Sequence, residues 1–272
     1  MVTQEQRKRQ LAREKFLRQQ QRRTSARRKA RMRNSVIASV LGVVVIGSVA
    51  LYTTGVLKDD DKKTNASSQT SPSAAPSAAK DPCEKPAAGS VKTQTWKKEP
   101  AVTIDESAKY TMTLATTCGD IGIALKAKAA PHTVNSFDFL AGKGFFDHTK
   151  CHRLTTNGIY VLQCGDPTGS GSGGPGYTIP DENLKDASLK ANVYPAGTVA
   201  MANTGQAHTG GSQFFLVYQD SQLPPSYTPF GTLSADGMKV LKKIAAAGEN
   251  TGAGDGAPNA TVVINKATVT KS

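Results

Sequence analysis

From Tyr110 onward the chain carries the hydrophobic patterning of packed structure. Tyr110, Met112 and Leu114 alternate with Thr111 and Thr113, the period of two that a half-buried strand requires. Cys118-Gly119-Asp120 supplies turn chemistry and the alternation resumes with Ile121, Ile123 and Leu125, so the two runs predict a hairpin. The period then changes. Pro131 opens a predicted helix through about Ala141, with Val134, Phe137 and Leu140 three apart on one face and Gly142 as terminator. Apolar runs around Cys151–Leu154, Tyr160–Gln163, Gly197–Met201, Phe214–Tyr218 and Thr228–Leu233 predict short strands. Met238–Ala247 predicts a second helix, with Met238, Leu241 and Ile244 inward, and alternation over Val262–Val269 predicts a last strand. Many strands with two helices predict a mainly β fold: an antiparallel sheet, most economically a closed barrel capped by two α-helices.

Upstream the pattern is different. Residues 35–57 are 23 positions without a charge, long enough as a helix to span a bilayer core of about 30 Å. Residues 1–34 hold 13 Lys and Arg against Glu5 and Glu14, so most of the formal net charge of +13 sits on that flank. The positive-inside rule then predicts a single-pass membrane protein, with residues 1–34 cytoplasmic and everything after Leu57 extracytoplasmic. A cleaved signal peptide with Ser48-Val49-Ala50 as its small-residue site is the competing reading. The long basic segment and an apolar run beyond the roughly 15 residues of a usual signal favour an uncleaved anchor. Residues 58–100, rich in Ser, Ala, Pro and Lys, predict a disordered extracytoplasmic linker, with Trp96 hinting at a local contact with the domain. The expected organisation is a basic tail (1–34), a transmembrane anchor (35–57), a linker (58–100) and a folded domain (101–272).

The charge says little about partners, because it describes a tail with too few large apolar residues to form a core. Membrane lipid through residues 35–57 is the expected contact, and nucleic acid is not. The four cysteines (Cys83, Cys118, Cys151, Cys164) lie on the side expected to be oxidising. They allow three pairings, and one disulfide is expected among Cys118, Cys151 and Cys164. Familiar enzyme motifs fail on context. The glycines at Gly169, Gly171 and Gly174 match a dinucleotide fingerprint, but Pro175-Gly176 follows directly and no helix N-terminus can stand behind them. No nucleophile elbow is present. His148 and His152 have a zinc-like spacing on a helix, yet the stretch leads into a strand, where residues four apart lie about 13 Å apart.

What remains is a series of polar residues in strands and glycine-rich loops: His152-Arg153, Gln163 with Gly165-Asp166, Met201-Ala202-Asn203, Gly211-Ser212-Gln213-Phe214-Phe215 and Phe230-Gly231. Taken singly, each has an ordinary explanation as ion pair, turn former or core. In this order the five blocks resemble those of the cyclophilins, over about Tyr110–Val269. The layout of anchor, linker and cysteines is also similar to that of membrane-anchored actinobacterial cyclophilins.

The resemblance implies a closed eight-stranded antiparallel β-barrel with two helical caps, and peptidyl-prolyl cis/trans isomerase activity on Pro-containing polypeptides without metal or organic cofactor. It implies Arg153, Gln163 and Asn203 as catalytic residues: Arg153 donating to the twisting amide, Gln163 orienting it and Asn203 binding substrate backbone. Tyr160, Val161, Phe215, Leu223 and Tyr227 would line the proline pocket, with Ala202 and Gln213 in the neighbouring groove. The chain departs from the pattern in places. The Arg153-to-Gln163 spacing is two residues longer, which bears on the loop Thr155–Ile159 and on Tyr160, and Asn203 to Gln213 is one residue longer. Tyr227 stands where many members have histidine. Gln222 stands where many have tryptophan, which implies weak binding of cyclosporin-like ligands. The rival readings are a tethered module that binds Pro-containing segments without turnover, and a basic tail that is itself the functional part. An intact Arg153 favours catalysis, because a pure binder has less need of it.

Overall fold

A computed structural model describes residues 81–272; the basic segment 1–34, the apolar run 35–57 and the first part of the expected linker lie outside the described residues. Among the described residues no helix is long and apolar enough to cross a membrane.

The alternating runs form strands where the sequence predicts them. The hairpin is β1 (Tyr110–Thr116) and β2 (Gly119–Leu125), followed by α1 (Pro131–Gly142), β3 (Thr149–Lys150), β4 (Arg153–Thr155) and β5 (Val161–Cys164). Then come β6 (Val193–Tyr194), β7 (Thr198–Met201), β8 (Phe214–Val217), β9 (Ser221–Gln222), β10 (Pro229–Leu233), α2 (Ala235–Ala246), β11 (Asp255–Gly256) and β12 (Val263–Lys271). The fold is mainly β with two helices. The second helix starts three residues before Met238, because Ser234 caps it by accepting the N–H of Gly237 at 3.0 Å. The first helix has no such residue at its start. The carboxylate of Glu182, from a distant loop, accepts the N–H groups of His132 and Thr133 at 3.0 and 2.9 Å.

Ten strands pair antiparallel in the order β11-β4-β5-β8-β7-β10-β2-β1-β12-β3, while β6 and β9 form a separate ribbon. The sheet wraps a core in which Phe137 of α1 meets Phe146, Phe214 and Phe230 at ring separations of 5.2, 5.5 and 4.5 Å. The expected closed eight-stranded barrel needs correction here. The sheet has ten strands and curls, and no strand ladder closes it among the described residues. The link Cys151-His152 joins the end strand β3 to β4, which lies next to the other end strand, and there the backbone changes partner: the Cys151 N–H donates to Val262 O at 2.9 Å and the His152 N–H to Gln163 O at 3.1 Å.

The cysteines pair as Cys151–Cys164, across that link, and Cys83–Cys118. The first pair accounts for the one disulfide expected among three cysteines; the second ties down a segment that composition assigned to the linker. Residues 81–100 lie along the domain. The Glu84 N–H donates to Thr117 O at 2.8 Å, the Trp96 N–H donates to Pro175 O at 2.8 Å, and the Trp96 ring packs edge-on against Phe139 at 5.1 Å. Composition cannot register a strap held by one disulfide and one aromatic anchor.

Candidate active site

The sheet register assembles the site. Arg153 of β4 pairs with Gln163 of β5, and Gln163 pairs with Phe215 of β8, so three residues far apart in sequence stand side by side across three strands. From the next strand over, the Ala202 N–H donates to Gln213 O at 2.9 Å, which brings Ala202 and Gln213 to the same edge.

Arg153 is held on two sides. Its Nε and Nη2 donate to the two carboxylate oxygens of Asp255 at 2.8 and 2.9 Å, and its Nη1 donates to Gln163 Oε1 at 3.1 Å. These bonds use three of the five guanidinium N–H groups. The carboxylate of Asp255 pushes the Arg153 pKa up, against the effect of burial. Gln163 Nε2 in turn donates to Gln213 Oε1 at 2.9 Å, and Gln213 Nε2 donates to Gly173 O at 2.9 Å. A continuous chain of hydrogen bonds therefore runs from Asp255 through Arg153, Gln163 and Gln213 to the glycine-rich loop.

Beside this chain lies a cavity of about 170 Å³. Ile159, Val161, Phe215, Leu223 and Tyr227 supply its apolar lining, while Arg153, Gln163, Ala202 and Asn203 form the remainder. That volume is well below the roughly 300–1,000 Å³ of pockets that take drug-sized ligands, and it suits one small ring. Phe215, 4% exposed, belongs to a small cluster with Val161, Tyr194, Ala200 and Val217 that is separate from the main core. Tyr227 stands edge-on to Phe215 at 5.4 Å. Its backbone is pinned by Tyr194, whose hydroxyl donates to Tyr227 O at 2.8 Å and accepts the Tyr227 N–H at 3.1 Å. Burial pushes that phenol up to about 12.

A second, open groove of about 900 Å³ shares Gln163, Ala202 and Asn203 with the cavity. The loop Gly171–Gly176 forms one wall together with Lys97, Lys98 and Glu99 of the strap. Gly176 allows the strap to come this close, because a Cβ there would stand 2.8 Å from Trp96 O, and its φ of +87° suits glycine. The loop is organised around Asp166, which is fully buried. Burial alone would raise its pKa, but hydrogen bonds from Thr168 and from the backbone N–H groups of Gly173, Thr168 and Gly171 prevail and hold it at about 2. Behind the loop, both ring nitrogens of His152 are buried without a hydrogen-bond partner among the described residues. Burial lowers the His152 pKa, which favours the neutral ring.

Of the residues singled out from sequence, Arg153, Gln163, Asn203, Val161, Ala202, Phe215, Leu223 and Tyr227 line the cavity, and Gln213 lines the groove. The side chain of Asn203 is engaged by its surroundings: Nδ2 donates to Ser226 O at 2.8 Å and Oδ1 accepts the Gly205 N–H at 3.0 Å. Tyr160 does not line the cavity. Its ring packs against Tyr218 at 5.8 Å, and Ile159 lines the cavity instead. Alternation outward from Val161 points to Ile159, since residues two apart share a face. Asp255 carries no comparable signal, lying 102 positions from Arg153 in a stretch of glycine and alanine.

Comparison with known proteins shows the family. Residues 111–269 match the model of the family described as cyclophilin type peptidyl-prolyl cis-trans isomerase/CLD. A probable peptidyl-prolyl cis-trans isomerase B of Mycobacterium leprae is 49% identical over 201 residues, covering 71% of this chain and 63% of that protein. Its namesake in Mycobacterium tuberculosis is 50% identical over 167 residues, covering 58% of this chain and 54% of that protein. The chain thus spans less than two thirds of the length of these relatives. Among solved structures, a cyclophilin type isomerase of Cryptosporidium parvum is similar with a TM-score of 0.50 and 26% identity, over 60% of this chain and 99% of that one. The family match extends over more than half of the chain and contains the strands that carry Arg153, Gln163 and Phe215, so this chain belongs to the cyclophilin-type peptidyl-prolyl isomerase family.

Proposed function

We propose that the domain catalyses cis/trans isomerisation of X–Pro bonds in polypeptides. The observation that carries the reading is a guanidinium fixed at the wall of a ring-sized apolar cavity. Rotation about an amide C–N bond meets a barrier of about 18–20 kcal/mol because the planar amide is conjugated. In the twisted state that conjugation is lost, and the nitrogen lone pair and the carbonyl oxygen become better hydrogen-bond acceptors. A donor held in place for that state favours it over the planar one without any covalent step. Here Arg153 is the donor, Gln163 and Asp255 restrain its plane, and Phe215, Val161, Leu223 and Tyr227 grip the proline ring while the preceding residue turns. Asn203 sits where cavity and groove meet, in position to order the substrate backbone. The mechanism moves no proton and uses no metal or organic cofactor.

The reading extends to place in the cell. Residues 35–57 serve as a membrane anchor with the domain on the extracytoplasmic side, acting on exported polypeptides. The two disulfides favour an oxidising compartment of that kind. The Cys151–Cys164 bond fastens the link between β3 and β4 to β5, at the seam where the ends of the curled sheet come together.

The test is the isomerisation rate of an X–Pro peptide with the full chain and with Arg153→Ala. Loss of one preorganised donor costs about 10²–10³ in rate in comparable sites. A folded Arg153→Ala protein is expected to lose most of its acceleration. A folded wild type that binds the peptide and leaves its rate unchanged would instead point to the binding-module reading.

A further inference from the structure

We propose that Asp255 is a positioning residue for Arg153, and that the loop between Glu249 and Pro258 exists to present it. The inference rests on the isomerase reading of Arg153 and adds to it a residue outside the strands that carry the site.

The loop is built as a rigid support. Glu249, 8% exposed, folds it around its own carboxylate: Oε2 accepts the N–H and hydroxyl of Thr251, both at 2.6 Å, and Oε1 accepts the Gly254 N–H at 2.9 Å. Asn250 closes the base, its Oδ1 accepting the Ala257 N–H at 2.9 Å, and Glu249 bridges to Pro258. The tip then adds to the sheet. Asp255 pairs with Thr155 and Gly256 with Leu154, which makes β11 the strand outside β4. This docking sets Asp255 diagonally from Arg153, so that its two oxygens meet Nε and Nη2.

A bidentate carboxylate fixes the plane of a guanidinium, whereas one acceptor such as Gln163 leaves it free to swing. With Asp255 on one edge and Gln163 on Nη1, the remaining N–H of Nη1 and of Nη2 are oriented before substrate arrives. An arginine that kept its charge but lost the carboxylate would have to be ordered during each turnover.

The test uses the full chain and five proteins: wild type, Asp255→Asn, Asp255→Glu, Arg153→Ala and the double variant Asp255→Asn with Arg153→Ala. Asp255 is 57% exposed on its side chain, so the variants are expected to fold, and melting temperatures check this. Asp255→Asn is expected to lower kcat by about tenfold with KM little changed, as small misplacements of a catalytic group do. Asp255→Glu should recover part of the loss, and Asp255→Asn should add nothing once Arg153 is Ala. An unchanged kcat in Asp255→Asn, a loss explained entirely by a lower melting temperature, or full additivity with Arg153→Ala overturns the proposal. The two readings separate cleanly. Activity that survives Arg153→Ala overturns the arginine mechanism, whereas activity lost in Arg153→Ala and kept in Asp255→Asn overturns only the role of Asp255.

Discussion

The site has a strand-built half and a loop-built half, and the two are stabilised in different ways. Arg153, Gln163 and Phe215 occupy one row across β4, β5 and β8, so their spacing is that of the sheet and is fixed by ladder hydrogen bonds with apolar residues on either side. Ile159, Leu223 and Tyr227 over the cavity, Asp255 beside Arg153 and the Gly171–Gly176 wall of the groove come from outside that row. The loops around them are held largely by short side chain to backbone bonds, of which Asp166 to Thr168 and Gly171 at 2.7 and 2.6 Å are typical. Register in the first half follows from the core, because a one-residue slip would turn every side chain to the opposite face. Geometry in the second half is set locally and can vary with little effect on the core. The comparison implies that substitutions in the strand half change stability and activity together, while those in the loop half separate them.

Phe215→Ala should show the coupling most strongly. It empties the floor of the cavity and opens a hole beside Val161, Ala200 and Val217, so a loss of about 3–5 kcal/mol is expected together with a higher KM for X–Pro peptides. Urea unfolding and peptide kinetics on one preparation check both; a large kinetic effect with unchanged stability would break the comparison. Next is the seam. Replacing Cys151 and Cys164 together by Ser removes a cross-link between positions 13 apart, worth about 3 kcal/mol in the chain-entropy account, and a urea midpoint reads it. A smaller effect belongs to the loop half. Asp166 has its pKa lowered from 3.8 to about 2, so its contribution is complete above about pH 4 and is lost as pH falls through 2. Asp166→Asn is therefore expected to lose about 2 kcal/mol at pH 6, and the difference from wild type should shrink towards pH 2 in acid titrations followed by urea unfolding.

The same division explains what could be read from sequence. The helix face Val134, Phe137 and Leu140 and the hairpin alternation were legible because burial imposes a period, and all of these positions are buried. Arg153, Gln163 and Phe215 were legible through the family pattern, which tracks the strand register. Tyr160 lies outside the cavity lining and packs against Tyr218, whereas counting back by twos from Val161 reaches Ile159. Asp255 could not be found, and of the strap only Trp96 gave a sign, which its contact with Phe139 bears out. Their roles depend on where a glycine-rich loop and a Pro- and Lys-rich segment come to rest, and no local periodicity encodes that. The ends of the sheet were misjudged for a related reason, since pairs as short as Thr149–Lys150 and Asp255–Gly256 leave no alternation to detect.

The smallest expected effect probes the loop half at its outer edge. Lys97 and Lys98 are exposed and line the groove beside Glu99, so this stretch of the strap carries a formal charge of +1 towards a passing polypeptide. An acidic side chain of the substrate lying in the groove would meet them in high dielectric, where such a contact contributes about 0.2–1 kcal/mol, or a factor of about 1.4 to 5 in kcat/KM. Exchanging both lysines for glutamate should reverse the preference between X–Pro peptides with acidic and with basic flanks, leaving the melting temperature and the rate on an uncharged peptide close to wild type. Because the contact is exposed, the preference should also fade towards 1 M salt, where the screening length is about 3 Å. A flank preference that survives the exchange would mean that the strap, although fastened to the domain by Cys83–Cys118 and by Trp96, does not form part of the surface the substrate touches, and that selectivity lies with the glycine loop alone.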